Sequence, residues 1–68
     1  MTPQEKEVVL NALKREYKVF KGLEKMNTKF KENYKDEYNS IRTFCLDTQL
    51  ISFNDVELME FEVNQSFS

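Results

Sequence analysis

Sixty-eight residues, 40% hydrophobic and 32% charged with a formal charge of −2, describe one small folded domain over residues 1–68 rather than a disordered tail. A single cysteine and no histidine exclude an internal disulfide, an imidazole-based triad and a cysteine–histidine metal cluster. One glycine and one proline exclude a glycine-rich phosphate loop and leave few places for tight turns, which favours helix over sheet.

The first element begins at Thr2-Pro3-Gln4-Glu5. The threonine hydroxyl is placed to cap, proline stands at the first helical position, and a glutamate follows three residues after the cap. The pattern predicts a helix from Pro3. Val9, Leu13, Tyr17, Phe20, Leu23, Phe30, Tyr34, Tyr38, Ile41 and Cys45 then recur at helical spacing. At 100° per residue they fall within roughly 140° of one another, one broad apolar stripe.

That stripe is compatible with one long helix or with a helical hairpin over residues 3–49. A continuous helix of ~40 residues is ~60 Å long. A compact chain of this size has a radius of gyration of about 11 Å. The reading therefore favours a hairpin turning between residues 21 and 28. Gly22 is the first candidate for a left-handed C-cap, with Lys18 and Lys21 in the last turn, and Asn27 in Met26-Asn27-Thr28 is the second. No good N-cap follows either one. Asn39-Ser40 is a third break point.

The stretch "LISFNDVELMEF" reads either as a β-hairpin turning at Asn54-Asp55 or as a helix start. The helix accounts for more. Ser52 caps, Asp55 stands where a capping box needs a carboxylate, and Ile51 and Val56 are spaced for a hydrophobic staple. Asp55 and Glu57 complement the positive end of the helix dipole. A short acidic helix is expected over 53–63, followed by a frayed tail over 64–68 unless Phe67 docks. The fold class is all-α, with an expected core of Val9, Leu13, Tyr17, Phe20, Phe30, Tyr34, Ile41, Cys45, Val56 and Val63.

Charge is unevenly spread. Before Cys45 there are ten bases and seven acids, a balance of +3; from Cys45 on there are five acids and no base. Such halves favour folding the tail back on the body, or a head-to-tail contact between copies, modestly at physiological salt.

The last helix has two apolar sides. Phe53, Val56, Glu60 and Val63 share one face with Met59 at its edge, and this face is expected to pack. Leu58 and Phe61 lie on another, between Glu57 and Glu62, and are expected to stay near water. Exposed apolar patches mark contact sites, so Leu58 and Phe61, with Glu57 and Glu62 as an acidic rim, are the candidate partner-binding residues.

The lysine-rich face (Lys14, Arg15, Lys18, Lys21, Lys25, Lys29, Lys31, Lys35) raises a nucleic-acid reading, which interspersed Glu16, Glu24, Glu32, Asp36 and Glu37 and the paucity of arginine count against. Cys45 lies on the apolar stripe and is expected to be buried and inert. No catalytic, cofactor or metal residue is expected. No apolar run reaches the ~18 residues of a membrane span, and the N-terminus lacks a basic region followed by an apolar one. With a lone thiol, these point to a cytoplasmic protein without a membrane partner. The function expected is that of a small non-catalytic protein-binding module (inhibitor, adaptor or assembly factor), self-associating as a two-fold dimer that covers the stripe if the first helix is long, or the Leu58/Phe61 face if it is a hairpin. The alternative is a DNA- or RNA-associated accessory protein using the lysine face.

Overall fold

The computed structural model describes residues 2–26 and 29–67. These form three helices, α1 (Pro3–Lys25), α2 (Lys31–Asp47) and α3 (Phe53–Ser66), with no strand among the described residues. The all-α class holds, and the first two helices form a hairpin rather than one rod. The longest dimension, 37 Å, is close to the ~35 Å length of α1 alone.

Thr2 starts α1 as its sequence pattern requires. Its hydroxyl accepts from the Glu5 N–H at 3.2 Å and donates to the Glu5 carboxylate at 3.1 Å. The helix then runs through Gly22, which has no positive φ, and stops at Met26 with φ −78°. The expected cap at Gly22 is corrected: the Met26 N–H bonds to the Gly22 carbonyl at 3.0 Å, so the ladder continues past the glycine. The alternative cap at Asn27 lies outside the described residues. α2 opens on Phe30, whose side chain caps nothing, in line with the lack of a recognisable N-cap there. Glu32 in the first turn complements the dipole instead. Asn39 and Ser40 fall inside α2 without breaking it.

α2 ends in a Schellman motif. The Leu50 N–H bonds to the Cys45 carbonyl at 3.0 Å, and the Gln49 N–H to the Leu46 carbonyl at 3.1 Å. Gln49 supplies the left-handed residue, φ 61°, where glycine is usual. This stop precedes residue 49, the expected end of the helical body. Three residues on, the Ser52–Asp55 capping box forms in full: the Asp55 N–H donates to Ser52 Oγ at 3.2 Å and the Ser52 N–H to Asp55 Oδ2 at 3.3 Å. Ile51 and Val56, the staple pair, are both buried. α3 outruns its expected end at residue 63: residues 64–66 are helical and Phe67 packs against the core, the docking that the frayed-tail reading named as its exception.

α1 and α2 are antiparallel, and α3 returns parallel to α1. Lys6 pairs with Asp55, Lys14 with Glu62, and Tyr17 with Asn64, so partners advance together along both helices. The acidic tail has folded onto the basic body. α1 packs against both other helices, while α2 reaches α3 through Tyr38 and Arg42, which both meet Glu60.

The core joins Leu13, Tyr38, Cys45, Ile51, Val56, Met59 and Val63, with Val9, Leu10 and Tyr17 packed against it. Burying a valine such as Val56 or Val63 fully is worth about 1.5–3 kcal/mol. Phe20 is also buried, and its ring centroid lies 6.1 Å from that of Tyr17. Three expected core members are corrected, the first being Tyr34, which is half-buried and not part of the core cluster. Phe30 is exposed because it stands in the turn, outside the helical phase, and Ile41 is exposed on the flank of α2 away from Arg42 and α3. Phe53 also leaves its expected face. It is exposed, with the Arg42 guanidinium 5.5 Å over its ring, and Met59 takes the buried place beside Val56 and Val63.

Candidate functional site: the outer face of α3

The side of α3 that meets the core is fixed by Val56, Met59 and Val63. At 100° per residue, Leu58 and Phe61 must then point outward, and they are 57% and 61% exposed. Leu58 also lines a groove between α1 and α3 whose apolar floor includes Leu10 and Met59, with Glu7, Lys14 and Glu62 along it. On its other side, Leu58 shares a shallow depression with Phe61, Asn54, Glu57 and Asn64. The surface is therefore continuous from Leu10 across Leu58 to Phe61.

The four candidate residues differ in their engagement. Glu57 is exposed, and among the described residues it has no ion-pair partner. Glu62 accepts from the Lys14 ammonium at 3.3 Å yet stays 66% exposed, so it faces both inward and outward. Leu10 was not visible as a site residue in the sequence, because it lies off the main stripe. Its neighbourhood with Leu58 arises only from the parallel docking of α3.

Polar groups behind this face hold it in place. The Lys6 ammonium lies 2.6 Å from Asp55 Oδ2, and together with the Ser52 hydroxyl it pulls the Asp55 carboxyl below the usual carboxylate range. Tyr38 donates its hydroxyl to Glu60 Oε2 at 2.8 Å. Burial first, then this bond and the negative charge of Glu60, push the phenol strongly up, so it remains a donor. Arg42 Nε meets the same oxygen at 3.4 Å. Tyr17 and Tyr38 bring their rings to 4.9 Å between centroids.

The remaining candidate regions are placed as follows. Cys45 is buried, and burial alone pushes its thiol up, the opposite of what activates a nucleophile. An open groove of about 870 Å³ lies where the starts of α1 and α3 meet the end of α2. Its hydroxyls, Thr2 and Ser52, are committed to helix caps, and its Lys6 to Asp55. Among the described residues, no group of three or more cysteine, aspartate or glutamate side chains is arranged to hold a metal ion. No helix there is long and apolar enough to cross a membrane. Of the aromatics interleaved with the lysines, Phe20 and Tyr38 are buried, Tyr34 is half-buried and Phe30 is exposed with the Lys29 ammonium 5.8 Å from its ring centroid.

No protein-family model matches the chain, and neither curated proteins nor solved structures provide a significant match.

Proposed function

We propose that the protein is a small non-catalytic binding module that acts by occupying a partner protein's surface through the outer face of α3, as an inhibitor, adaptor or assembly factor. The observation that carries this reading is the exposure of Leu58 and Phe61 on a helix whose opposite side is fully packed. The monomer completes its core without them. Burying each against a partner is worth about 1.5–3 kcal/mol, and clustered apolar exposure of this kind marks contact surfaces.

The test is the double variant Leu58→Ser/Phe61→Ser. Its circular dichroism spectrum and melting temperature stay near those of the parent, because neither side chain supports the core. In affinity capture, the parent retains one stoichiometric protein and the variant loses it. Equal capture by both proteins refutes the reading.

Self-association into a two-fold dimer is the second reading. It is favoured by Val8, Ile41 and Phe44, all exposed. Val8 lies opposite Tyr17 around α1, and Phe44 opposite Arg42 around α2, so these exposed side chains belong to the hairpin and not to α3. Light scattering coupled to size-exclusion chromatography decides it by mass. The nucleic-acid alternative rests on exposed Arg15, Lys18, Lys25 and Lys35, and heparin retention that is lost in moderate salt would favour it.

A further inference from the structure

We infer that the groove between α1 and α3 takes a cationic amphipathic helix from the partner protein. Leu10, Leu58 and Met59 receive its apolar side, and Glu7, Glu57 and Glu62 receive its basic flanks. The inference rests on the reading of the α3 face as a docking surface and specifies the chemistry of what docks.

Shape is the first support. α1 and α3 run parallel and leave a trough with an aliphatic floor. The groove runs along residues 7–14 of α1 and 55–62 of α3, ~12 Å, which matches about two turns of a partner helix. Leu58 stands proud of this floor and is placed to fit between successive apolar residues of such a helix.

Charge is the second. Five carboxylates border the trough and its outer lip (Glu7, Asp55, Glu57, Glu60, Glu62) against three cations, Lys14 in the trough and the Lys6 and Arg42 that pair with Asp55 and Glu60. Lys6 is spent on Asp55, and Lys14 on Glu62. Glu7 and Glu57 are both exposed and have no ion pair among the described residues. The border is thus net acidic, and no cation is available in α3, which contains no base. Such a surface attracts a lysine- or arginine-flanked helix and repels an anionic one.

The same count argues against a second copy in this groove. Three bases of the body, Lys6, Lys14 and Arg42, already meet acids of α3. Seven bases then remain against the seven acids of that segment, so the body has no net positive charge left to offer in return. Symmetric pairing of two α3 helices would set Glu57 and Glu62 against their own kind. A nucleic acid is disfavoured here by its phosphates.

The experiment titrates the isotope-labelled full chain with two synthetic helical peptides of about four turns. Both carry the same leucine pattern; lysine fills every other position in one and glutamate in the other. The lysine peptide is expected to shift the amide resonances of Leu10, Asn11, Leu58 and Phe61, and to bind at least ~10-fold more tightly than the glutamate peptide. Its affinity falls several-fold on raising salt. Lys14→Gln, which releases Glu62, tightens it, and Leu58→Ser/Phe61→Ser weakens it by ~10-fold or more.

Equal binding of both peptides, shifts confined to the lysine face, or no binding of the lysine peptide overturns the inference. So does a dimer of the free chain whose interface maps to these amides. Failure here is distinguishable from failure of the function itself. If the double serine variant still loses its captured partner, the docking face stands and only the chemistry assigned to its occupant falls.

Discussion

Leu58 and Met59 are neighbours in the chain, similar in size and apolar character, and their fates are opposite. Met59 is 6% exposed in the core and Leu58 57% exposed in water. The difference is one step of 100° around α3. Hydrophobicity did not decide which is buried; the direction in which α3 is held did. The inner face, with Val56 and Val63, makes the fold. The outer face, with Phe61, adds little to it and remains available.

Substitution on each face gives the largest expected contrast. Met59→Ala removes buried volume and is expected to cost about 2–5 kcal/mol. Leu58→Ala should stay within about 0.5 kcal/mol of the parent. Urea denaturation of the two variants measures both, and equal losses would erase the distinction between the faces.

A smaller effect tests what aims the inner face. Tyr38→Phe removes the donor to Glu60, which keeps Arg42, and is expected to cost about 1–2 kcal/mol. An unchanged midpoint would show that packing alone orients α3. The approach to α3 gives an effect of opposite sign. Gln49→Gly relieves a left-handed residue other than glycine and is expected to stabilise by about 1 kcal/mol. A loss would show that the glutamine side chain contributes more than its backbone costs.

Acid provides the most delicate probe. The Asp55 carboxyl is depressed by Lys6 and Ser52, so its contribution is complete above the unfolded carboxylate value of about 3.9. That contribution is lost as pH falls through the lower folded value. Asp55→Asn should therefore lose less melting temperature than the parent between about pH 6 and pH 3. Parallel acid profiles would contradict the assignment.

Much of this arrangement was legible in the chain. Thr2 and the Ser52–Asp55 box are local signals, and local hydrogen bonds do not depend on tertiary contacts. The excess of acids after Cys45 anticipated the tail folding back, because opposite charges were available at Lys6, Lys14 and Arg42. The outward placement of Leu58 and Phe61 also followed from helical phase. What was hidden depended on other signals. Gly22 resembles a stop, but a helix propagates through one glycine at a cost of ~1 kcal/mol when flanking residues carry it. Gln49 gives no warning of a left-handed turn; the Schellman bonds, with Leu50 and Cys45 in the core cluster, impose it. Phe30 and Ile41 kept the periodicity of the stripe, yet the turn reset the phase between the helices. Leu10 became part of the groove only through docking of the third helix.

The ladder of polar links between α1 and α3 has a geometric corollary. Lys6–Asp55, Lys14–Glu62 and Tyr17–Asn64 are spaced almost equally on both helices. A slide of one residue or a modest roll of α3 would misalign every rung together. The links act as a key that admits a single azimuth, so the compass bearing of Leu58 and Phe61 is set by polar partners along the seam with α1 rather than by packing of their own.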